Sequence, residues 1–318
     1  MERKDLRYYL TNYGIIIVLI VLFAFFSILS SSFLTPENIF NILRQVSIVG
    51  ITAVGMTFVL LTGGIDLSVG SIIGVAGVGA AELMLLKVPP LPACIIMLVI
   101  CTLIGALNGF FINEFKIPPL IATLGTMTSL RGLAYIITGG LPVFGFDSSF
   151  SKFGQGYIGI IPIPVIVMAI VFVLGIIFLS KTRYGRYIYG VGGNEEASRL
   201  SGINIKGVKY LVYSVTGFLS GLAGIVLLSR INSGQPKAGQ GYEMDVITGV
   251  VLGGVSISGG EGRLGFVIIG VLIMGILTNG MIMMNVNDYV QQLIKGLVLI
   301  AAVGFDRLVQ SQKANSAA

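Results

Sequence analysis

The chain has 318 residues and a formal net charge of +6; 55% of its residues are hydrophobic and only 11% are charged. Soluble domains carry about 25% charged residues, so this composition excludes an ordinary soluble protein and predicts an all-α membrane protein with many spans. Histidine is absent, and both cysteines lie in one apolar run. We therefore expect no histidine-based catalytic triad, no metal site and no disulfide.

Ten apolar segments approach the ~20 residues that cross a bilayer, and we expect each to form a transmembrane helix. With both termini in the cytoplasm, most of the 20 Lys and Arg residues fall in cytoplasmic loops, as the positive-inside rule requires. The net charge therefore needs no nucleic-acid partner. We predict one membrane domain over residues 1–318, with a cytoplasmic tail at 306–318. The ten segments are 13–30, 46–61, 71–86, 92–112, 119–138, 161–179, 209–229, 243–257, 264–284 and 290–305.

The first segment follows a basic stretch, as the apolar part of a signal peptide does. Its apolar run is longer than the usual 7–15 residues, and no small-x-small cleavage site follows it. We therefore expect this segment to be retained as a membrane helix.

A glycine-rich polar stretch at 62–70 separates the second and third segments, and it contains Thr62, Asp66 and Ser68. A carboxylate inside a bilayer costs roughly 2.5–3.5 kcal/mol on insertion scales and marks a functional site. Non-helical backbone at that depth occurs only beside protein or a water-filled cavity. We therefore predict a break between two helices that shapes or gates a transport pathway, towards its cytoplasmic end.

Further polar residues lie within later spans. Asp66 and Arg131 carry opposite charges, and two roles remain open for them: a pair that locks the second and fifth spans together, or lining and gating of the pathway. Lys295 is expected to extend its ammonium group to the membrane surface. Neutral residues in such spans more often bond between helices than to a substrate. The candidates for substrate hydrogen bonds are Asn108, Thr123, Thr126 and Asn279.

Four pairs of glycines are separated by three residues, which permits two helices to pack closely. They are Gly70 and Gly74, Gly105 and Gly109, Gly217 and Gly221, and Gly249 and Gly253.

The cytoplasmic loop at 180–208 is the only long polar segment. Asn194 is a good N-cap, Glu195 and Glu196 fall in a first turn where the helix dipole favours acids, and Gly202 is a typical helix stop. We predict a helix of about two turns, too short to be stable alone. Glu196-Ala197-Ser198-x-x-x-Gly202 resembles the Glu-Ala-Ala-x-x-x-Gly loop by which ABC permeases dock on their ATPase subunits, with Ser in place of the second Ala. The resemblance implies a coupling role for Arg186, Asn194, Glu195, Glu196, Arg199, Leu200 and Gly202.

Residues 62–68 and 252–258 share the pattern Gly-Gly-apolar-polar-apolar-Ser, and a glycine-rich span follows each. Paired interrupted helices in the two halves of a transporter often flank its pathway. Two stretches this short can also match by chance, so both explanations stay open. Ser256 stands in the second stretch where Asp66 stands in the first.

Motifs over nearly the whole chain resemble those of sugar permeases of the ribose, arabinose, galactose and xylose type. The resemblance implies a homodimer in the bacterial inner membrane, surrounded by lipid, which takes a monosaccharide from an extracytoplasmic binding protein and is driven by a tandem-domain ATPase. This chain itself would then hold no cofactor and hydrolyse no ATP. Ribose is favoured by a small margin. The motifs lie at 64–70, 123–126, 131–132, 192–195, 199–202, 233–236, 241–243 and 251–256.

An ion-coupled secondary transporter is the alternative from another class. Such carriers usually place several ionisable residues at mid-membrane, whereas this chain has few there and no histidine. A permease subunit driven by a separate ATPase is therefore the favoured function, and an enzyme acting within the membrane has no nucleophile–base pair to support it.

Overall fold

The computed structural model describes residues 4–146 and 148–317, with no side-chain description for 4–13, 148 and 308–317. The regular secondary structure of the described chain is almost wholly helical. A 3-10 turn (Ser148–Phe150) and a small antiparallel hairpin, β1 (Tyr157–Ile158) and β2 (Ile161–Pro162), are its remaining regular elements. The helices are α1 (Lys4–Leu29), α2 (Pro36–Leu61), α3 (Val69–Leu85), α4 (Pro90–Glu114), α5 (Pro119–Thr138), α6 (Ser151–Gln155), α7 (Ile163–Lys181), α8 (Arg183–Gly193), α9 (Glu195–Leu200), α10 (Ile205–Ile231), α11 (Tyr242–Leu252), α12 (Leu264–Met283) and α13 (Asp288–Ala317).

A helix lies in each of the ten predicted spans. Within the described chain, seven helices are long and apolar enough to cross a membrane, namely α2, α4, α5, α7, α10, α12 and the part of α13 up to Arg307. The apolar part of α1 and the whole of α3 are shorter. The eighth predicted span, 243–257, is divided: α11 has 11 residues, about 16 Å at 1.5 Å per residue, and ends before Gly253 and Gly254. This protein is thus a polytopic all-α membrane protein with interrupted helices.

Two helices form the centre of the bundle. In the apolar windows of α2 and α10, 83% and 72% of the residues are buried, whereas the figures for α5 and α13 are 22% and 6%. α2 packs against α7, α10, α11 and α12, and α10 packs against α2, α3 and α4. The helix break after α2 is therefore held in the core, while α5 and α13 lie at its edge.

Glycines allow the central helices to approach closely, as their spacing predicted. A Cβ atom on Gly105 of α4 would overlap the carbonyl oxygen of Tyr213 of α10, and one on Gly217 of α10 would overlap that of Cys101. The other predicted pairs also lie at close contacts, since a Cβ atom on Gly74 or Gly253 would approach main-chain atoms of Ala238 or Val267 within 2.7 Å. These helices pack main chain to main chain.

Candidate transport and coupling site

The predicted helix break exists, and Asp66 lies at its centre. α2 ends at Leu61, where the Thr62 hydroxyl donates a 2.7 Å hydrogen bond to the Val59 carbonyl oxygen. Gly63 then adopts φ 76°, which glycine reaches without steric cost. The Asp66 side chain is fully buried, and its Oδ1 accepts hydrogen bonds from the Ser68 main-chain N–H (2.9 Å) and hydroxyl (2.5 Å). The carboxylate thus closes the turn that starts α3.

A chain of hydrogen bonds joins this turn to α4 and α5. The Asn108 amide donates to Ser68 Oγ at 2.9 Å, and the Thr126 hydroxyl donates to Asn108 Oδ1 at 2.6 Å. The Thr123 hydroxyl, also on α5, lies 3.3 Å from the Ile65 carbonyl oxygen. We call these residues the Asp66 network (Asp66, Ser68, Asn108, Thr123 and Thr126). The structure brings these five predicted residues together, and only Thr126 among them is not fully buried.

At the Asp66 turn, two buried polar atoms form no hydrogen bond to any residue the structure describes. One is Asp66 Oδ2, and the other is the hydroxyl of Tyr213 on α10. The Tyr213 hydroxyl lies against Gly64, since a Cβ atom there would sit 2.5 Å from its oxygen. Tyr213 was not a predicted site residue, because no sequence pattern distinguishes a tyrosine inside an apolar span from an ordinary core residue.

Arg131 does not pair with Asp66, which excludes the first of the two roles left open for these residues. Its guanidinium contacts the Glu243 carboxylate of α11 at 3.4 Å. The reason is position along α5: Thr123 is the residue at the Asp66 turn, and Arg131 lies eight residues further, about 12 Å along the helix axis. Arg131 therefore joins α5 to α11 at a different depth.

A second ion pair links α13 to α11. The Lys295 ammonium lies 2.8 Å from Asp245 Oδ2, and both side chains are mostly buried. Lys295 was expected to extend to the membrane surface, and this expectation is wrong because a buried carboxylate lies within its reach. Neither Glu243 nor Asp245 was a predicted site residue. The sequence could have indicated them, because two acidic residues only two positions apart inside a membrane span are costly unless each is paired.

The first turn of α11 lies inside the bundle because the chain that precedes it runs along α3 towards the N-terminus of that helix. Residues 233–239 are not helical: Gly234 pairs with Val143, while Ala238 and Gly239 lie against Gly74 and Gly70 of α3. A small cavity beside this segment is lined by Ser71, Arg131, Lys237 and Gln240 among others, with room for about one water molecule. The buried Ser71 hydroxyl and Glu243 Oε2 form no hydrogen bond to the described residues. The cavity, which both polar and apolar residues line, is too small for a sugar in this conformation.

Asn279, the remaining pathway candidate, lies away from the Asp66 network. It exchanges two amide hydrogen bonds with Asn38, of 2.9 and 3.0 Å, and both side chains are buried. This pair joins α12 to the first turn of α2. Its geometry is that of an interhelical contact.

The two stretches with the shared glycine pattern have similar backbone geometry. A left-handed glycine follows the helix before each stretch: Gly63 (φ 76°), the first glycine of the pattern, in one stretch, and Gly254 (φ 81°), the second glycine, in the other. Further along each turn, a polar side chain accepts a hydrogen bond from the main-chain N–H two residues ahead. Asp66 accepts from Ser68 at 2.9 Å, and the Ser256 hydroxyl accepts from the N–H of Ser258 at 3.1 Å. The left-handed glycines thus differ by one position within the shared pattern, so the backbone does not decide between an internal repeat and a chance match.

The predicted short helix of the 180–208 loop is present as α9. Asn194 caps it, since its Oδ1 accepts from the Ala197 N–H at 2.8 Å, and Gly202 follows it with φ 81°. Glu196 pairs with Arg199 at 2.6 Å. Leu200 is 81% exposed, an unusual position for leucine on so polar a helix. Every predicted coupling residue is exposed, namely Arg186, Asn194, Glu195, Glu196, Arg199, Leu200 and Gly202.

A second helix in this loop, α8, was not predicted. Thr182 caps it by accepting from the Gly185 N–H at 3.1 Å. Four glycines within the segment lower its helix propensity by about 1 kcal/mol each relative to alanine, which is why the sequence indicated a loop. Burial of Ile188 and Val191 stabilises the helix. Tertiary packing here overrides local propensity.

The chain is similar to known transport proteins over nearly its whole length. It is 47% identical to a ribose import permease protein of Bacillus subtilis (strain 168), over 92% of this chain and 91% of that protein. It is 46% identical to the ribose import permease protein of Escherichia coli (strain K12), over 98% and 95%, and 40% identical to the L-arabinose transport system permease protein of the same strain, over 95% and 92%. No solved structure matches the chain.

Residues 38–303 match the family described as the permease component of the branched-chain amino acid transport system. The match runs from the first turn of α2 into α13 and includes the Asp66 network and the capped helix α9. The sequence motifs, the interrupted helices of the fold and the full-length relatives agree. The chain therefore belongs to this family of transport-system permeases and is a membrane-spanning transport subunit.

Proposed function

We propose that this chain is the permease of an ABC importer in the bacterial inner membrane, which carries ribose into the cell and is energised by a separate ATPase. The observation that carries this proposal is α9, a capped helix that exposes all its residues except Ser198 and has the docking pattern of ABC permeases. Ribose is favoured over arabinose because the relatives named for ribose are more similar than the one named for arabinose. An extracytoplasmic binding protein would deliver the sugar.

We infer that the Asp66 network gates the pathway and does not hold the sugar. Asp66, Ser68, Asn108 and Thr123 are wholly buried, so a sugar reaches them only after the helices around them separate. Their hydrogen bonds connect the turn after α2 to α4 and α5. Thr62 would shape the same turn, and Arg131, which is part-exposed beside the cavity, is the better candidate for a sugar contact.

The permease is proposed to work as a homodimer, with α5 and α13 facing the second copy. These helices are the least buried of the seven long apolar ones. On α5, Gly125, Thr128, Ser129 and Gly132 share one exposed face, and a Cβ atom on either glycine would meet no described atom within 4 Å. Small residues of this kind let helices of two subunits pack closely.

Cysteine cross-linking tests the proposed dimer. In native membranes Ser129→Cys should form a disulfide between two copies, whereas Val173→Cys, which is 55% exposed on α7, should not. The native cysteines Cys94 and Cys101 are buried and do not interfere. Equal cross-linking at both positions would contradict the proposed interface.

Reconstitution tests the transport function. The permease is purified with its ATPase, placed in liposomes and supplied with the binding protein and radiolabelled ribose outside and ATP inside. Uptake should require ATP and all three components, and excess unlabelled ribose should compete better than arabinose or leucine. Uptake driven by an ion gradient through this chain alone would refute the importer and support the secondary transporter. Competition by leucine alone would favour an amino-acid substrate.

A double variant tests the docking assignment in the same system. Replacing Glu196 and Gly202 together with alanine removes the first-turn acid and strains the left-handed C-terminal position of α9. ATP hydrolysis should no longer drive uptake, while the amount of permease in the membrane stays unchanged. Normal uptake by this variant would exclude α9 as the docking element.

A further inference from the structure

Three main-chain segments meet at five glycines on the side of the bundle where α8 and α9 lie. The segments are the turn after α2, the junction between α8 and α9, and the turn after α11. We call the contact the glycine junction and define it by Gly63, Gly192, Gly193, Gly259 and Gly260. Its central hydrogen bond runs from the Gly260 N–H to the Leu61 carbonyl oxygen, at 2.9 Å, and so ties the turn after α11 directly to the end of α2.

Gly192 fills the space between the two turns. A Cβ atom on it would overlap the Leu61 carbonyl oxygen and lie 2.5 Å from the Gly260 nitrogen. Around it, a Cβ atom on Gly259 would lie 2.8 Å from the Gly63 nitrogen, and one on Gly260 would lie 2.7 Å from the Gly193 Cα. The contact is therefore main chain against main chain on every side.

A side chain forms a second connection between α8 and the turn after α11. The Tyr189 hydroxyl donates a 2.9 Å hydrogen bond to the carbonyl oxygen of Gly262. On the same helix, Ile188 and Val191 are buried in the core. α8 is thus fixed both to the core and to the segment that leads into α12.

We propose that Gly192 and Tyr189 are positioning residues that make α8, α9 and both turns move as one body. A displacement of α9 would then reach the Asp66 turn and the turn before α12 in the same step. The physical reason is that a contact between main-chain atoms cannot be relieved by a change of side-chain rotamer. Elements packed in this way therefore shift together as discrete units. The inference rests on the proposed docking of an ATPase on α9 and adds the route by which its movement enters the membrane.

Adjacent glycines provide a matched pair of variants. Gly192→Ala places a methyl group against two main-chain atoms, whereas the Cβ atom in Gly193→Ala would meet no described atom within 4 Å. Both changes add the same atoms to consecutive residues at the end of α8. The readout is the amount of ribose transported per ATP hydrolysed by the full reconstituted importer, together with co-purification of the ATPase.

We expect Gly192→Ala to lower the ribose-to-ATP ratio by about fivefold or more, the lower end of typical coupling effects, while Gly193→Ala leaves it unchanged. The ATPase should co-purify with both variants. A merely structural role would lower uptake and ATP hydrolysis together and leave their ratio intact. Equal ratios for the two variants would overturn the proposal.

Tyr189→Phe removes one oxygen atom and decides the matter if Gly192→Ala fails to assemble. It should lower the ribose-to-ATP ratio without loss of protein, and an unchanged ratio would then overturn the proposal. Failure of the underlying docking hypothesis is visible separately, because the Glu196 and Gly202 double variant would then transport normally. The two ideas can thus fail independently.

Discussion

Replacing Asp66 with alanine removes the acceptor of two buried hydrogen bonds, from the N–H and the hydroxyl of Ser68. A buried donor without a partner costs about 1–3 kcal/mol. The Ser68 hydroxyl can rotate towards another acceptor, but its main-chain N–H is fixed by the turn. We therefore expect Asp66→Ala to lower the free energy of unfolding by about 2–4 kcal/mol.

Asp66→Asn separates the effect of the hydrogen bonds from that of the charge. The amide oxygen can accept the same two bonds, which weaken from about 1.5–3 kcal/mol each with a charged acceptor to about 0.5–1.5 with a neutral one. Loss of a buried charge offsets part of that difference. We therefore expect Asp66→Asn to be at most about half as destabilising as Asp66→Ala.

The assay is reversible unfolding of the purified permease in mixed detergent micelles as the denaturing detergent is increased, with ribose uptake measured in parallel. Ser68→Ala serves as the comparison, because it leaves the main-chain bond to Asp66 in place but removes the hydroxyl that joins Asp66 to Asn108. It should also lower the stability of the permease, since the buried Asn108 amide loses its acceptor. If Asp66→Ala is as stable as the unmodified protein and transports normally, Asp66 does not organise the turn, and the reasoning is refuted.

Two further interhelical contacts give independent predictions. Asn38→Ala and Asn279→Ala should each destabilise the permease by about 1–2 kcal/mol, and the double variant should cost less than their sum, because both break the same reciprocal pair; additive losses in the unfolding assay would contradict this. Lys295→Met should reduce the stability of the permease by leaving Asp245 unpaired, and adding Asp245→Asn should restore much of it. If the second change brings no recovery, the two groups do not interact as the geometry indicates.

Much of the architecture follows from hydropathy alone. Apolar runs near the length of a bilayer fix where the helices lie, because a chain in lipid must satisfy its backbone hydrogen bonds internally. The break at Asp66 and the cap at Asn194 were also predictable, since glycine and short polar side chains there have local effects. What hydropathy could not indicate is that α11 ends at Leu252 and that 183–193 is helical, because tertiary packing decides both.

Sequence determined which residues are costly in a membrane, and hence that Asp66, Asn108, Thr123, Thr126 and Arg131 need an explanation. Only the tertiary structure decided which of them interact. Partners such as Arg131 and Glu243 are far apart in the chain, and no local pattern encodes a contact that depends on the depth at which two helices cross. The same holds for the glycine junction, where residues from three separate segments fit together only because the packed bundle brings their main chains into contact.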